Sequence, residues 1–321
     1  MGNNKQQIFE DNPYWDEQNQ TSSNQEEMQK TSDGDNNISA DSYNQNDDKC
    51  SPKTVKKTVP VENKTSDFDE SLPKMKVSED ENALNFVVGN VPFKMVKVQG
   101  ATFTMGNPVD KDGKIGKNVF VDETPAHQVT LNSFCIGETT VTQELWQAVL
   151  QAYDVSIKEN KENMPKVKIS WNDCQIFIKR LNMITGRKFR LPTEAEWEFA
   201  ARGGENSKNT AYAGASRLSL VAWYSTIGKP VQPVKKLKAN ELNIYDMSGN
   251  VSEWCNDWYG KEYYANSPQN NPQGPDQGQL KVIRGGSVFS TADSCRNTMR
   301  MTLDPKLRET AVGFRLALDL G

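Results

Sequence analysis

The fifteen residues Arg190-Leu-Pro-Thr-Glu-Ala-Glu-Trp-Glu-Phe-Ala-Ala-Arg-Gly-Gly204 constrain this chain more than any other stretch. They read as a short helix with both boundaries written in. Thr193 is an N-cap residue and Glu196, three positions on, completes a capping box. Pro192 disfavours helix at Leu191 and separates the helix from the strand-like Lys188-Phe189-Arg190-Leu191. Trp197, Ala200 and Ala201 form an apolar stripe at helical spacing. Gly203-Gly204 supplies the left-handed C-cap. Glutamates 194, 196 and 198 near the helix start and Arg202 at its end suit the helix dipole.

The rest of the chain divides by composition. Residues 1–80 hold 17 acidic and 9 basic side chains, net −8, in a chain whose total is −4. The remainder is therefore mildly basic. Residues 1–82, polar and acidic with isolated apolar side chains, cannot bury enough surface to offset ordering and are expected to be disordered. Residues 83–321 are expected to form one domain. The polar N-terminus lacks the apolar core of an export signal, and no run approaches the length of a membrane span, so a cytoplasmic protein is expected. Five cysteines without a Cys-x-x-Cys pair give no zinc pattern. One histidine, His127, excludes multi-histidine metal centres and is expected to be structural or a surface residue.

Short strands are predicted over 86–88, 93–98, 101–106 and 127–136. Thr140-Val-Thr-Gln143 reads as a second capping box before Val141, Leu145, Ala148 and Val149. Ile169-Ser-Trp-Asn leads into a third helix with Cys174, Phe177, Ile178 and Leu181 at the i, i+3, i+4, i+7 positions and Gly186 as its stop. Cys174 is expected in the core. In Asn243-Ile-Tyr-Asp-Met-Ser-Gly-Asn-Val-Ser-Glu-Trp-Cys-Asn-Asp-Trp258, Asp246, Asn250 and Glu253 surround a glycine. Such a loop suits a hard cation such as calcium, or stands alone as a cluster of side-chain-bonded turns.

These blocks, with Phe103-Thr-Met-Gly106, Thr124-Pro-Ala-His-Gln-Val-Thr-Leu131, Val282-Ile-Arg-Gly-Gly-Ser287 and Gly313-Phe-Arg315, resemble the formylglycine-generating enzyme, or sulfatase-modifying factor, family over about residues 93–318. The resemblance implies a mixed α+β, irregular C-type lectin-like fold. It implies a structural calcium held by Asp246 and Glu253 side chains and by the carbonyls of Gly249 and Val251. Ser252 and Ile244 depart from the family's usual tryptophan and leucine. Enzymes of the family oxidise a substrate cysteine to formylglycine with copper(I) between two cysteines. Those positions correspond here to Ser290 and Cys295, and a hydroxyl is a poor ligand for copper(I), so copper is not expected.

The expectation is a non-catalytic module. Phe289, Ser290, Thr291, Asp293, Arg296 and Arg300 are its candidate ligand contacts, for a protein or glycan and not for nucleic acid. The alternatives are a divergent formylglycine-generating oxidoreductase and a lectin-fold variable protein of a diversity-generating retroelement. Met299, Met301, Lys306 and Glu309 fit the asparagine-derived variability of the last poorly.

Overall fold

A computed structural model describes residues 73–108, 114–150, 163–225 and 230–320. The expected disordered tail lies outside these residues as far as position 72. Its last part does not follow the expectation: Met75–Glu79 is strand β1. Four of its five side chains are exposed, so it has no buried alternation to betray it and gains its place from backbone pairing with the next strand.

β2 (Ala83–Val88) and β3 (Val91–Val98) form a hairpin across Gly89-Asn90, with Phe86 opposite Phe93. β4 (Thr102–Met105) and β5 (His127–Thr130) form a separate two-stranded ribbon. β6 (Phe134–Gly137), the two-residue β7 (Phe189–Arg190) and β12 (Ala317–Asp319) complete a sheet of order β1-β2-β3-β6-β12-β7. A second sheet, β10-β9-β8-β11, joins Met301–Leu303, Lys281–Arg284, Ser252–Trp258 and Val312–Gly313. This is the mixed, irregular α+β architecture that the sequence motifs imply.

Helix α1 (Gln143–Leu150) starts later than the expected capping box. Thr142, not Thr140, takes the cap: its Oγ1 accepts the Leu145 amide at 3.3 Å. Helix α2 (Trp171–Thr185) follows its sequence signals, capped by Ser170 and stopped by Gly186 at φ 65°. Its Cys174, Phe177, Ile178 and Leu181 pack with Phe86, Leu145 and Phe314 in one core cluster.

Helix α3 (Glu194–Ala201) is the predicted central helix, with the Thr193–Glu196 capping box closed at 3.1 and 2.9 Å. It is not amphipathic in use, because all eight residues are buried. Trp197 and Phe199 enter a second core cluster with Met247, Cys255 and Val282. The short α4 (Tyr263–Asn266) adds Tyr264 to that cluster. Among the described residues no helix is long and apolar enough to cross a membrane.

Candidate functional site

Burying the glutamates of α3 requires cations: Arg190 serves Glu196 at 2.6 Å, and the final block delivers two more. Arg284, at the end of β9, is 0% exposed and donates to Glu194 at 2.9 Å and to Glu198 at 2.6 Å. Arg300 grips Glu194 through Nε and Nη2 at 2.7 and 2.8 Å, with its guanidinium against Tyr259 and Tyr264. Arg202 closes on Glu198 at 2.8 Å. Burial alone would raise the Glu194 carboxyl, but Arg300 and Arg284 outweigh it and hold that carboxyl below its usual range. Charge-assisted pairs of this kind fix the final block to the central helix.

From Arg284 the chain turns through Gly285 and Gly286, at φ 92° and 70°. A Cβ on Gly286 would stand 2.8 Å from the Ser294 carbonyl oxygen and 2.9 Å from the Cys295 sulfur. The glycine therefore lets the 287–295 loop fold back onto its own root. Ser290 lies in a tight turn there. Its Oγ accepts the Ser287 amide at 2.9 Å, and its carbonyl accepts the Ser225 amide at 2.9 Å.

Cys295 is 0% exposed among Ala215, Leu218, Val221 and Ala222. Burial pushes its thiol up to about 12, so sulfur is protonated at neutral pH. The Gly249 backbone amide favours the thiolate but does not offset that burial.

The remaining sequence candidates part company. Phe289 is 54% exposed and Thr291 is also exposed, while Ser290 and Asp293 are half-buried beside them. Asp293 Oδ1 accepts Asn118 Nδ2 at 3.3 Å. Arg296 instead turns inward, paired through both Nη atoms with Glu123 at 2.6 Å. Arg300 is buried on Glu194 as described. The structure thus brings 289, 290, 291 and 293 to one rim and commits the two arginines to the frame.

Two residues of this region were invisible to sequence reasoning. Glu123 is fully buried and is held by Arg296, Thr298 and Asn107 across more than 170 residues of chain for the first two and 16 for the last. Trp223 lies against the calcium-like loop: its carbonyl accepts the Asn250 amide at 2.8 Å, and a Cβ on Gly249 would meet that oxygen at 2.4 Å. Its indole Nε1 is buried without a hydrogen-bond partner among the described residues. The only sequence signal for it was an aromatic pair, Trp223-Tyr224, inside an otherwise loop-like stretch.

In the 243–253 loop Asp246, Asn250 and Gly249 have positive φ, between 57° and 75°, which curls the backbone tightly. Asp246 is buried, and burial pushes its carboxyl up to about 6. Its Oδ2 accepts the Lys235 amide at 2.9 Å, and among the described residues it has no salt bridge. Glu253 is differently placed. Arg315 donates to both its oxygens at 2.6 and 2.7 Å, and Trp197 Nε1 adds a bond of 2.7 Å to Oε2. Among the described residues no three His, Cys, Asp or Glu side chains form a metal-binding group. A cation here would therefore depend on backbone carbonyls. Of the loop's two carboxylates, Asp246 is the one without a salt bridge among the described residues.

The fold and the order of these blocks define a family. The sulfatase-modifying factor enzyme 1-like domain matches residues 88–320, and the chain belongs to that family. Among its relatives, the formylglycine-generating enzyme of Streptomyces coelicolor is 28% identical over 70% of this chain and 88% of the enzyme. A serine/threonine-protein kinase, pkn1, of Chlamydia caviae is 30% identical over 70% of this chain, which spans only 38% of the kinase. Of solved structures, Treponema denticola variable protein 1 is similar with a TM-score of 0.63 and 28% identity, covering 77% of this chain and all of that one. PvdO from Pseudomonas aeruginosa follows at 0.60 and 26%, covering 71% of this chain and 94% of that one.

Proposed function

We propose that this chain is a non-catalytic member of its family, a binding module for a protein or glycan. The observation that carries the reading is the pair of positions where the enzymes hold copper(I). Here they present the turn-bound hydroxyl of Ser290 and the covered, protonated thiol of Cys295. That donor set does not fit a soft monovalent ion, which needs thiolates. The rim of exposed Phe289 and Thr291 with half-buried Ser290 and Asp293 is the proposed contact surface. It combines one large apolar side chain with hydroxyls and a carboxylate, mounted on a frame made rigid by buried ion pairs.

Asp246, with the carbonyls of Gly249 and Val251, would hold a calcium ion that stabilises this scaffold; Glu253, held through both oxygens by Arg315, would join it only by giving up part of that pair. The likeness to Treponema denticola variable protein 1 supports the neighbouring reading, a lectin-fold protein whose final block varies. Both readings make the same rim the binding surface.

The test is chemical. Purified protein, copper(I), oxygen and a Cys-x-Pro-x-Arg peptide are incubated and the peptide is weighed by mass spectrometry. The thiol is expected to survive. Formation of the aldehyde with turnover sinks the non-catalytic reading. Ser290→Cys is the companion variant and is expected to gain copper(I) binding; failure to bind copper would mean that Cys295 is not at the enzymes' second cysteine position.

A further inference from the structure

Strand β1 closes one end of the larger sheet, and among the described residues nothing pairs with its outer side. Which groups it leaves free follows from its hydrogen bonds to β2. The Lys74 carbonyl accepts the Gly89 amide at 2.8 Å, and the Asp80 amide donates to the Ala83 carbonyl at 2.9 Å. In an antiparallel pair a residue turns its N–H and C=O to the same side, and that side alternates along the strand. The even-numbered residues therefore serve β2, and Met75, Val77 and Glu79 direct their amides and carbonyls outward.

The side chains of those three lie on the core face. Their partners across the register are Val88, Phe86 and Leu84, all buried. Met75 packs partly against that cluster, but Val77 stays 43% exposed at the edge beside Phe86. On the opposite face the charges are sorted by position: Lys74 and Lys76 come first and Asp80 last, all exposed. An unpaired edge is a template for another strand. A strand that is cationic at its start and anionic at its end complements an antiparallel copy of itself.

We propose that β1 pairs with β1 of a second copy of this chain about a two-fold axis through Val77, joining the two sheets edge to edge. Outward-facing residues must meet outward-facing residues, so the axis passes through a residue and not between two. At Lys76 it would set the two Lys76 ammonium groups against each other, and at Ser78 it would set Val77 against Glu79. At Val77 the two Val77 side chains cover each other on the core face. Lys74 of each copy then stands opposite Asp80 of the other. The strand is 5 residues long. Such a contact is smaller than a standard interface, and a dissociation constant of about 100 μM is expected.

Sedimentation equilibrium of the full chain across that concentration is expected to show monomer and dimer in exchange. Val77→Pro removes an outward amide and no bond to β2, and proline is tolerated at such an edge position. It is expected to leave the protein monomeric with its melting temperature little changed. Lys74→Asp sets like charges opposite each other on both sides of the axis and is expected to weaken the dimer by about tenfold. In a Cys50→Ser background, mild oxidation is expected to crosslink Val77→Cys across the axis, where paired Cα atoms stand about 5.5 Å apart, and to leave Ser78→Cys uncrosslinked. A wild type that stays monomeric overturns the proposal. So does undiminished association of either Val77→Pro or Lys74→Asp, or crosslinking through position 78 in preference to 77.

Discussion

Replacing Arg284 by methionine tests whether the ion pairs at α3 hold the fold together. The guanidinium donates to Glu194 at 2.9 Å, to Glu198 at 2.6 Å and to the Asn297 carbonyl at 2.6 Å, all away from solvent. Methionine fills much of the volume and supplies none of the donors. Glu194 keeps Arg300 and Glu198 keeps Arg202, but Glu198 Oε2 loses the only donor it has among the described residues. Breaking a buried pair by deleting one partner costs about 3–5 kcal/mol, because the other charge stays buried. In a domain of this size each kcal/mol lowers the melting temperature by about 2–4 °C, so the expected loss is about 6–20 °C. Thermal unfolding followed by circular dichroism and tryptophan fluorescence reads it. Glu198→Gln added to Arg284→Met removes the stranded charge, and the double variant is expected to regain at least about 1 kcal/mol relative to additivity. A single-variant loss below about 1 kcal/mol, the range of a surface pair, refutes the reasoning. Strict additivity of the two changes refutes it as well.

Calcium is expected to raise the melting temperature and chelator to lower it, by up to about 2.7 kcal/mol of stability when the ion is at a hundred times its dissociation constant. Asp246→Ala with Glu253→Ala should abolish that difference, and identical melting of the wild type in calcium and in chelator would count against the cation site. Asp257 gives a pH test. Burial first, and then the nearby Glu194 charge, push its carboxyl up to about 8, although its Oδ2 accepts the Glu194 amide at 2.8 Å. The raised folded value means that folding takes up a proton. This contribution is complete near pH 4 and is lost as pH rises to about 8, by about 1.4 kcal/mol per pH unit at most. Asp257→Asn cannot lose a proton, so its stability relative to wild type should climb across that window; a flat difference between pH 5 and 8 speaks against a protonated Asp257.

The local signals in the sequence were legible where they decide matters within one turn of chain. The Thr193–Glu196 box, the Ser170 region and Gly186 bound their helices as read. Burial of Cys174 follows from its place at an apolar helical position. What the sequence could not show is action at a distance. Burial of Glu194 and Glu198 left no local signal, because their partners Arg284 and Arg300 lie 86 to 106 residues further on. The same blindness affected Arg296 and Arg300, which look like surface contacts in a loop and are frame members paired with Glu123 and Glu194. β1 was missed for a related reason, since an edge strand with polar, exposed side chains owes its existence to its neighbour's backbone.

The order of strands in the larger sheet has a consequence for how the protein comes into being. β12 lies between β6 and β7, pairing Ala317 with Ile136 on one side and with Arg190 on the other. A chain emerging from the ribosome can form the β2–β3 hairpin early, but β6 and β7 stay unjoined until residues 317–319 are free of the exit tunnel. The frame arginines arrive late too. A nascent chain stalled near residue 280 carries the central helix with Arg190 and Arg202 but without Arg284 and Arg300. Synthesis from one end therefore leaves this domain dependent on its last strand, and folding is completed only after translation has passed it.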